Sequence, residues 1–115
     1  MDERRGAPRA HSVGSARLRI GCEDGSAHIV DISPFGLQLR SPLRFERQQS
    51  YTFTAADQTG LTFHALCRWC RRAPDRTDFE AGFEFLNIGP VEVRALIAYA
   101  LGRDQRIPRH QLARP

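Results

Sequence analysis

Ala27-His28-Ile29-Val30-Asp31-Ile32-Ser33 runs into Pro34-Phe35 and leaves as Gly36-Leu37-Gln38-Leu39-Arg40. A strand, a tight turn and a second strand are the simplest reading. Ser33, Pro34 and Gly36 stand at the first, second and fourth positions of a type I turn, where Pro presets φ and Gly accepts the exit geometry. Strict alternation puts Val30 and Ile32 on one face and Ile29 and Asp31 on the other, with Asp31 turned outward at the rim of the sheet. Beyond the turn Leu37 and Leu39 point inward. Gln38 and Arg40 point outward, on the side where Asp31 is available.

The same period extends in both directions. Upstream, Ala16, Leu18, Ile20 and Cys22 alternate with Arg17 and Arg19, and Glu23-Asp24-Gly25-Ser26 supplies a hairpin turn. Downstream, Ser41-Pro42 stops the strand, Leu43 to Ser50 is charged and irregular, and Tyr51-Thr52-Phe53-Thr54 resumes the alternation. A longer strand from Leu61 to about Arg71 carries Phe63, Ala65, Cys67 and Trp69 on one face. After a turn around Pro74, Phe79, Ala81, Phe83 and Phe85 form the clearest period-two stripe, and it and Trp69 are assigned to the core. Six short strands predict a mainly β domain, a small antiparallel barrel or sandwich. The period then changes: Val93, Leu96, Ile97, Ala100 and Leu101 follow Gly89-Pro90 at helical spacing and precede Gly102, so one C-terminal helix is expected to cover an open side or end. The expected organisation is a flexible Arg-rich arm at 1–14, the barrel with its helix at 15–102, and a basic, disordered tail at 103–115.

Composition narrows the function. The chain is 41% hydrophobic and 26% charged, the balance of a soluble globular domain. It has no apolar run long enough to span a bilayer and no apolar segment behind its N-terminal arginines, so a cytoplasmic protein is expected. All 17 basic residues are Arg, and the formal net charge is +4. Arginine grips phosphate or a guanine edge bidentately, whereas duplex nucleic acid calls for a denser basic face and is not expected as a partner. Cys67-Arg68-Trp69-Cys70 spells C-x-x-C, but on a regular strand positions three apart face opposite ways about 10 Å apart, so Cys67 is read as buried and Cys70 as near the surface. His11, His28, His64 and His110 lack metal-ligand spacing, and no metal site is expected. Glu80 and Glu84 lie about 13 Å apart on a strand, too far for the pairs of roughly 5 to 9.5 Å that cleave glycosides. No nucleophile, base and orienting group come together, so the chain reads as a non-enzyme with no catalytic residues.

One further cluster stands in the arm. Arg5-Gly6-Ala7-Pro8-Arg9, preceded by Arg4, resembles the R-x-x-x-R signature of PilZ domains, and Asp31-Ile32-Ser33-Pro34-Phe35-Gly36 resembles their D-x-S-x-x-G signature; 21 residues separate the two. Ala65-Leu66-Cys67-Arg68-Trp69 is similar to the family's penultimate strand, Ala81-Gly82-Phe83-Glu84-Phe85-Leu86 to its last strand, and a helix follows. Each motif alone is a short pattern, and the spacing and layout join them.

The resemblance implies a six-stranded antiparallel barrel with one closing helix. It also implies a single-domain receptor for cyclic di-GMP, a bacterial second messenger, with no cofactor beyond that ligand. Binding would order the arm against the barrel and signal to an effector protein, in motility, pilus or biofilm control. Arg5 and Arg9 suit phosphate and the O6/N7 edge of guanine, Asp31 and Ser33 suit guanine N–H groups, and Gly36 permits close approach to the backbone. Arg4 is a candidate extra contact, and Gln38 and Arg40 are minor ones. Phe35 puts an aromatic ring in the turn, where many members of that family have Gly; it stands either to pack on a base or the arm or to obstruct the site. The alternative is a PilZ-like adaptor that acts through protein contacts with little or no nucleotide binding. A third reading, a barrel for single-stranded nucleic acid, needs exposed aromatics among basic residues, and here the aromatics read as core.

Overall fold

The computed structural model describes residues 10–11 (backbone), 16–21, 25–56, 60–74 and 77–102. Arg4, Arg5, Arg9, Cys22 and the basic tail lie outside these described residues.

Among the described residues seven strands and one helix follow in order: β1 (Ala10–His11), β2 (Arg17–Ile20), β3 (Ser26–Ser33), β4 (Gly36–Ser41), β5 (Ser50–Ala55), β6 (Thr62–Arg72), β7 (Phe79–Leu86) and α1 (Pro90–Ala100). All strand pairings are antiparallel. Starting at β3, the neighbours run β2, β5, β6, β7 and β4, and β4 pairs back onto β3. Six strands thus close a barrel, as expected, and closure removes the free edges that an open sheet would expose. The two-residue β1, within the stretch read as lacking either period, pairs with the second half of β3, Ala10 opposite Ile32 and His11 opposite Asp31.

Alternation explains most of the interior. Leu18, Ile20, Leu37, Leu39, Phe53, Phe63, Ala65, Cys67, Ala81, Phe83 and Phe85 are all buried in one core. Phe53 is its aromatic centre, 5.5 Å from the ring of Phe63 and 5.1 Å from that of Phe83. The irregular segment after β4 contributes Phe45, whose ring meets Phe83 and Tyr51 edge-on at 5.0 and 5.1 Å. A lone apolar side chain in a charged stretch has no period to reveal it, and only closure of the barrel shows where it goes.

Two β-bulges correct the faces predicted from strict alternation. In β3, Ile29 pairs with Leu39 and Asp31 with Gln38, so Val30 is the extra residue. Ile29 and Ile32 therefore both enter the core, and Asp31 is separated from Ile29 and shares the outer face with Gln38. In β6, Cys67 pairs with Phe83 and Trp69 with Gly82, so Arg68 is extra. Trp69, expected in the core, is turned to the outside and exposed. Cys70, expected opposite to Cys67, returns to the inner side and packs on the core. Both thiols are free; burial, with Cys70 nearby, pushes that of Cys67 up to about 11.

The helix begins at Gly89-Pro90, where Pro lacks only an N–H that the first turn leaves unpaired. It ends on Gly102 at φ +75°, whose N–H reaches the Tyr99 carbonyl. Val93, Leu96 and Ala100 are its buried face. The Tyr99 hydroxyl donates to the Arg17 carbonyl at 2.5 Å and accepts from the Arg17 N–H at 3.1 Å, tying the helix to the start of β2.

Candidate functional site

Ser33 and Gly36 pair across the β3–β4 turn, and neither Pro34 nor Phe35 has a positive φ, in keeping with the type I turn. The Ser33 hydroxyl accepts the Phe35 N–H at 3.3 Å, and the Phe35 carbonyl accepts the Phe85 N–H at 3.0 Å. The turn is therefore fastened to β7. Gly36 is needed for another reason than a backbone approach by ligand: a Cβ there would overlap the Phe83 carbonyl of β7. Its φ is not positive, so the constraint is packing between β4 and β7.

Beside this turn the outer wall carries a groove of about 260 Å³, with Ser33, Gly36 and Gln38 at the β3–β4 side, Trp69 and Arg68 from β6, and Glu84 from β7. Phe35 also lines it. Phe35 and Trp69 are 41% and 36% exposed, values that make both rings available to a flat ligand. Arg68 and Glu84 face each other at 3.6 Å, so one end of the groove offers a cationic donor beside an anionic acceptor.

Register arranges these groups in rows. Reading across the outer face, Asp31, Gln38, Gly82 and Trp69 are successive partners on β3, β4, β7 and β6. Asp31 and Trp69, the two end members on the barrel strands, each follow a bulge. The next outer row is His28, Arg40, Glu80 and Arg71. Glu80 is nearly buried there and accepts from Arg40 Nη2 at 2.5 Å and from Arg71 Nη2 at 3.1 Å. The hydrogen bond from Arg40, followed by that from Arg71, holds the Glu80 carboxyl below its ordinary value despite burial. The guanidinium of Arg71 in turn lies 5.3 Å from the centre of the Trp69 ring.

Of the residues singled out in the sequence, Ser33, Gly36 and Gln38 line the groove, and Asp31 stands next to Gln38 in the same row. Asp31 is turned outward as expected but is 9% exposed, a covered carboxylate rather than a free one at the rim. Arg40 belongs to the adjoining row and is engaged by Glu80. Sequence reasoning missed Trp69, Arg68 and Glu84. The available signal was Gly82: a glycine inside a strand marks a close approach, and here the indole of Trp69 lies where its Cβ would be. Trp69, expected among the core aromatics, is exposed instead and joins Phe35 of the turn on the outer wall. Among the described residues no cluster of His, Cys, Asp and Glu could hold a metal ion, and no helix is long and apolar enough to cross a membrane.

No curated protein matches the chain. Solved structures share its fold, two of them as follows. The inhibitor of motility MotI/DgrA of Bacillus subtilis is 18% identical with a TM-score of 0.64, over 97% of this chain and 53% of that one, so this chain spans about half of it. The PilZ domain of YcgR from Escherichia coli, solved with c-di-GMP, is 16% identical with a TM-score of 0.65, over 97% and 99%. The family model of the PilZ domain matches residues 3–102, from the arginine cluster through the end of α1, and the chain belongs to the PilZ domain family.

Proposed function

We propose that this chain is a cyclic di-GMP receptor whose ligand lies in the groove between the β3–β4 turn and Trp69. The observation that carries the reading is the groove itself: two exposed aromatic rings wall a space whose polar edge is made by Ser33 and Gln38, beside Asp31. Stacking on Phe35 or Trp69 suits a purine. Asp31, Ser33 and Gln38 suit the N–H edge of guanine, and Arg5 and Arg9, with Arg4 behind them, supply charge for the two phosphates. Arg40 acts at second hand, through Glu80. The similar Escherichia coli domain holds the same ligand, which supports the assignment.

Arg9 directly precedes Ala10, the residue paired with Ile32. The arginine cluster, which ends one residue before β1, works in this reading with the strand that carries Asp31. In this reading ligand binding fastens the arm over the groove and presents a new surface to an effector protein. The similarity to an inhibitor of motility supports a motility target.

Titration calorimetry tests the assignment. The wild-type chain binds cyclic di-GMP, and Asp31→Ala and Arg9→Ala each weaken binding about tenfold to a hundredfold, the worth of one charge-assisted contact. Absence of binding by the wild-type chain overturns the receptor reading in favour of an adaptor that works through protein contacts. Unchanged affinity in Arg9→Ala removes the arm from the site.

A further inference from the structure

We propose that Glu80 is a positioning residue that fixes Trp69 as a wall of the groove, acting through Arg71. A buried carboxylate on the outside of a barrel contributes nothing to the core, and placing it there costs desolvation unless it is fully engaged. Glu80 is engaged on both sides. Arg40 from β4 holds Oε2, and Arg71 from β6 meets Oε1 with Nη2 at 3.1 Å and Nε at 3.3 Å. Both Arg71 contacts to one carboxylate oxygen restrict the guanidinium, although the Arg71 side chain is itself largely exposed.

That guanidinium lies over the Trp69 ring, and the Nε1 edge of the indole lies close against Gly82, one outward residue along β7 from Glu80. The ring thus has a cation and a glycine as its neighbours. Trp69 and Arg71 are alternate residues of β6 beyond the bulge, and an exposed Arg left to itself would sample many rotamers. Glu80 removes that freedom from Arg71 and, through it, from the indole. The clamp lies outside the groove, because neither Glu80 nor Arg71 lines it.

Trp69 is the only tryptophan in the chain, so its fluorescence reports the clamp without any ligand. Wild type, Glu80→Gln and Arg71→Gln are compared by acrylamide quenching at a temperature where far-UV circular dichroism shows all to be folded. Each variant is expected to raise the quenching constant about twofold, and the double variant to do no more than either single one, because they break the same chain of contacts. The consequence for binding rests on the receptor reading: cyclic di-GMP affinity falls about threefold to fivefold in both variants, the size of one cation–π contact. Unchanged quenching in folded Glu80→Gln and Arg71→Gln, or additive changes in the double variant, overturns the clamp. If Glu80→Gln does not fold, Arg71→Gln, altered at an exposed side chain, decides alone. If wild type binds no nucleotide, the receptor reading fails, and the quenching result still decides the clamp.

Discussion

The two sides of the barrel's outer wall are built from different chemistry. On β2, β5 and the first half of β6 the outward residues include Arg17, Arg19, Thr52, Thr54, Thr62, His64 and Leu66, most of them exposed. Short side-chain hydrogen bonds join Thr54 to Thr62 at 3.0 Å and Thr52 to His64 at 2.9 Å. On β3, β4, β7 and the second half of β6 the outward residues include His28, Asp31, Gln38, Arg40, Glu80, Gly82, Glu84, Trp69 and Arg71, and among them Asp31, Glu80 and Gly82 are buried. A β-branched, hydroxyl-bearing wall is what an ordinary solvated sheet face favours. Buried carboxylates and an interior glycine disfavour a strand, and they gather with an exposed tryptophan on the side with the groove. The contrast agrees with the proposed site without reference to any relative, because residues that break local rules together are expected at functional surfaces.

Substitutions on the two walls sharpen this contrast, and the largest effect belongs to the turn. Gly36→Ala drives a methyl into the backbone carbonyl of Phe83. Backbone cannot step aside as a side chain can, so the cost is about 3 kcal/mol, with a melting temperature about 10–20 °C lower in thermal unfolding. A melting point unchanged by Gly36→Ala would mean that β4 and β7 are not held as closely as described.

The acid response comes next. The folded pKa of Glu80 lies below its ordinary value of 4.5, so its contribution to stability is full above the unfolded value and is lost as pH falls through the lowered folded one. Wild type is therefore more stable than Glu80→Gln at neutral pH, and the gap in melting temperature closes on acidification below about pH 4.5. A gap independent of pH would show that the carboxylate's charge has no part in the wall's stability. The smallest effect is on the other wall: Thr54→Val and Thr62→Val change stability by no more than about 0.5 kcal/mol in denaturant unfolding, and leave cyclic di-GMP binding unaltered. A loss of binding in either would extend the site around the barrel.

Much of this was legible in the residues. Leu18 and Ile20, Leu37 and Leu39, Phe53, Phe63, Phe83 and Phe85 declared their strands and inner faces by period two, and Pro90 and Gly102 bracketed the helix by backbone chemistry that needs no tertiary partner. Ser33-Pro34-Phe35-Gly36 announced its turn in the same way, since Pro and Ser act on their own φ and hydrogen bonds. Gly36 was legible as a constraint but not as the right one, because the Phe83 carbonyl that forbids a Cβ is 47 positions away in the chain.

The sequence by itself determined the six barrel strands and the helix, the side of each regular strand that faces inward and the signature residues Asp31 and Ser33, all of which depend on local period and local chemistry; the two-residue β1 has no such period. Only the tertiary structure decided where that period slips. The extra residues Val30 and Arg68 are accommodated because strands that curl into a closed barrel must bend and twist, and a bulge does both at one point. Each slip shifts every later side chain by one face. That shift parts Asp31 from the core-facing Ile29 and carries Trp69 out of the core into the same outer row, where it walls the groove and meets Arg71.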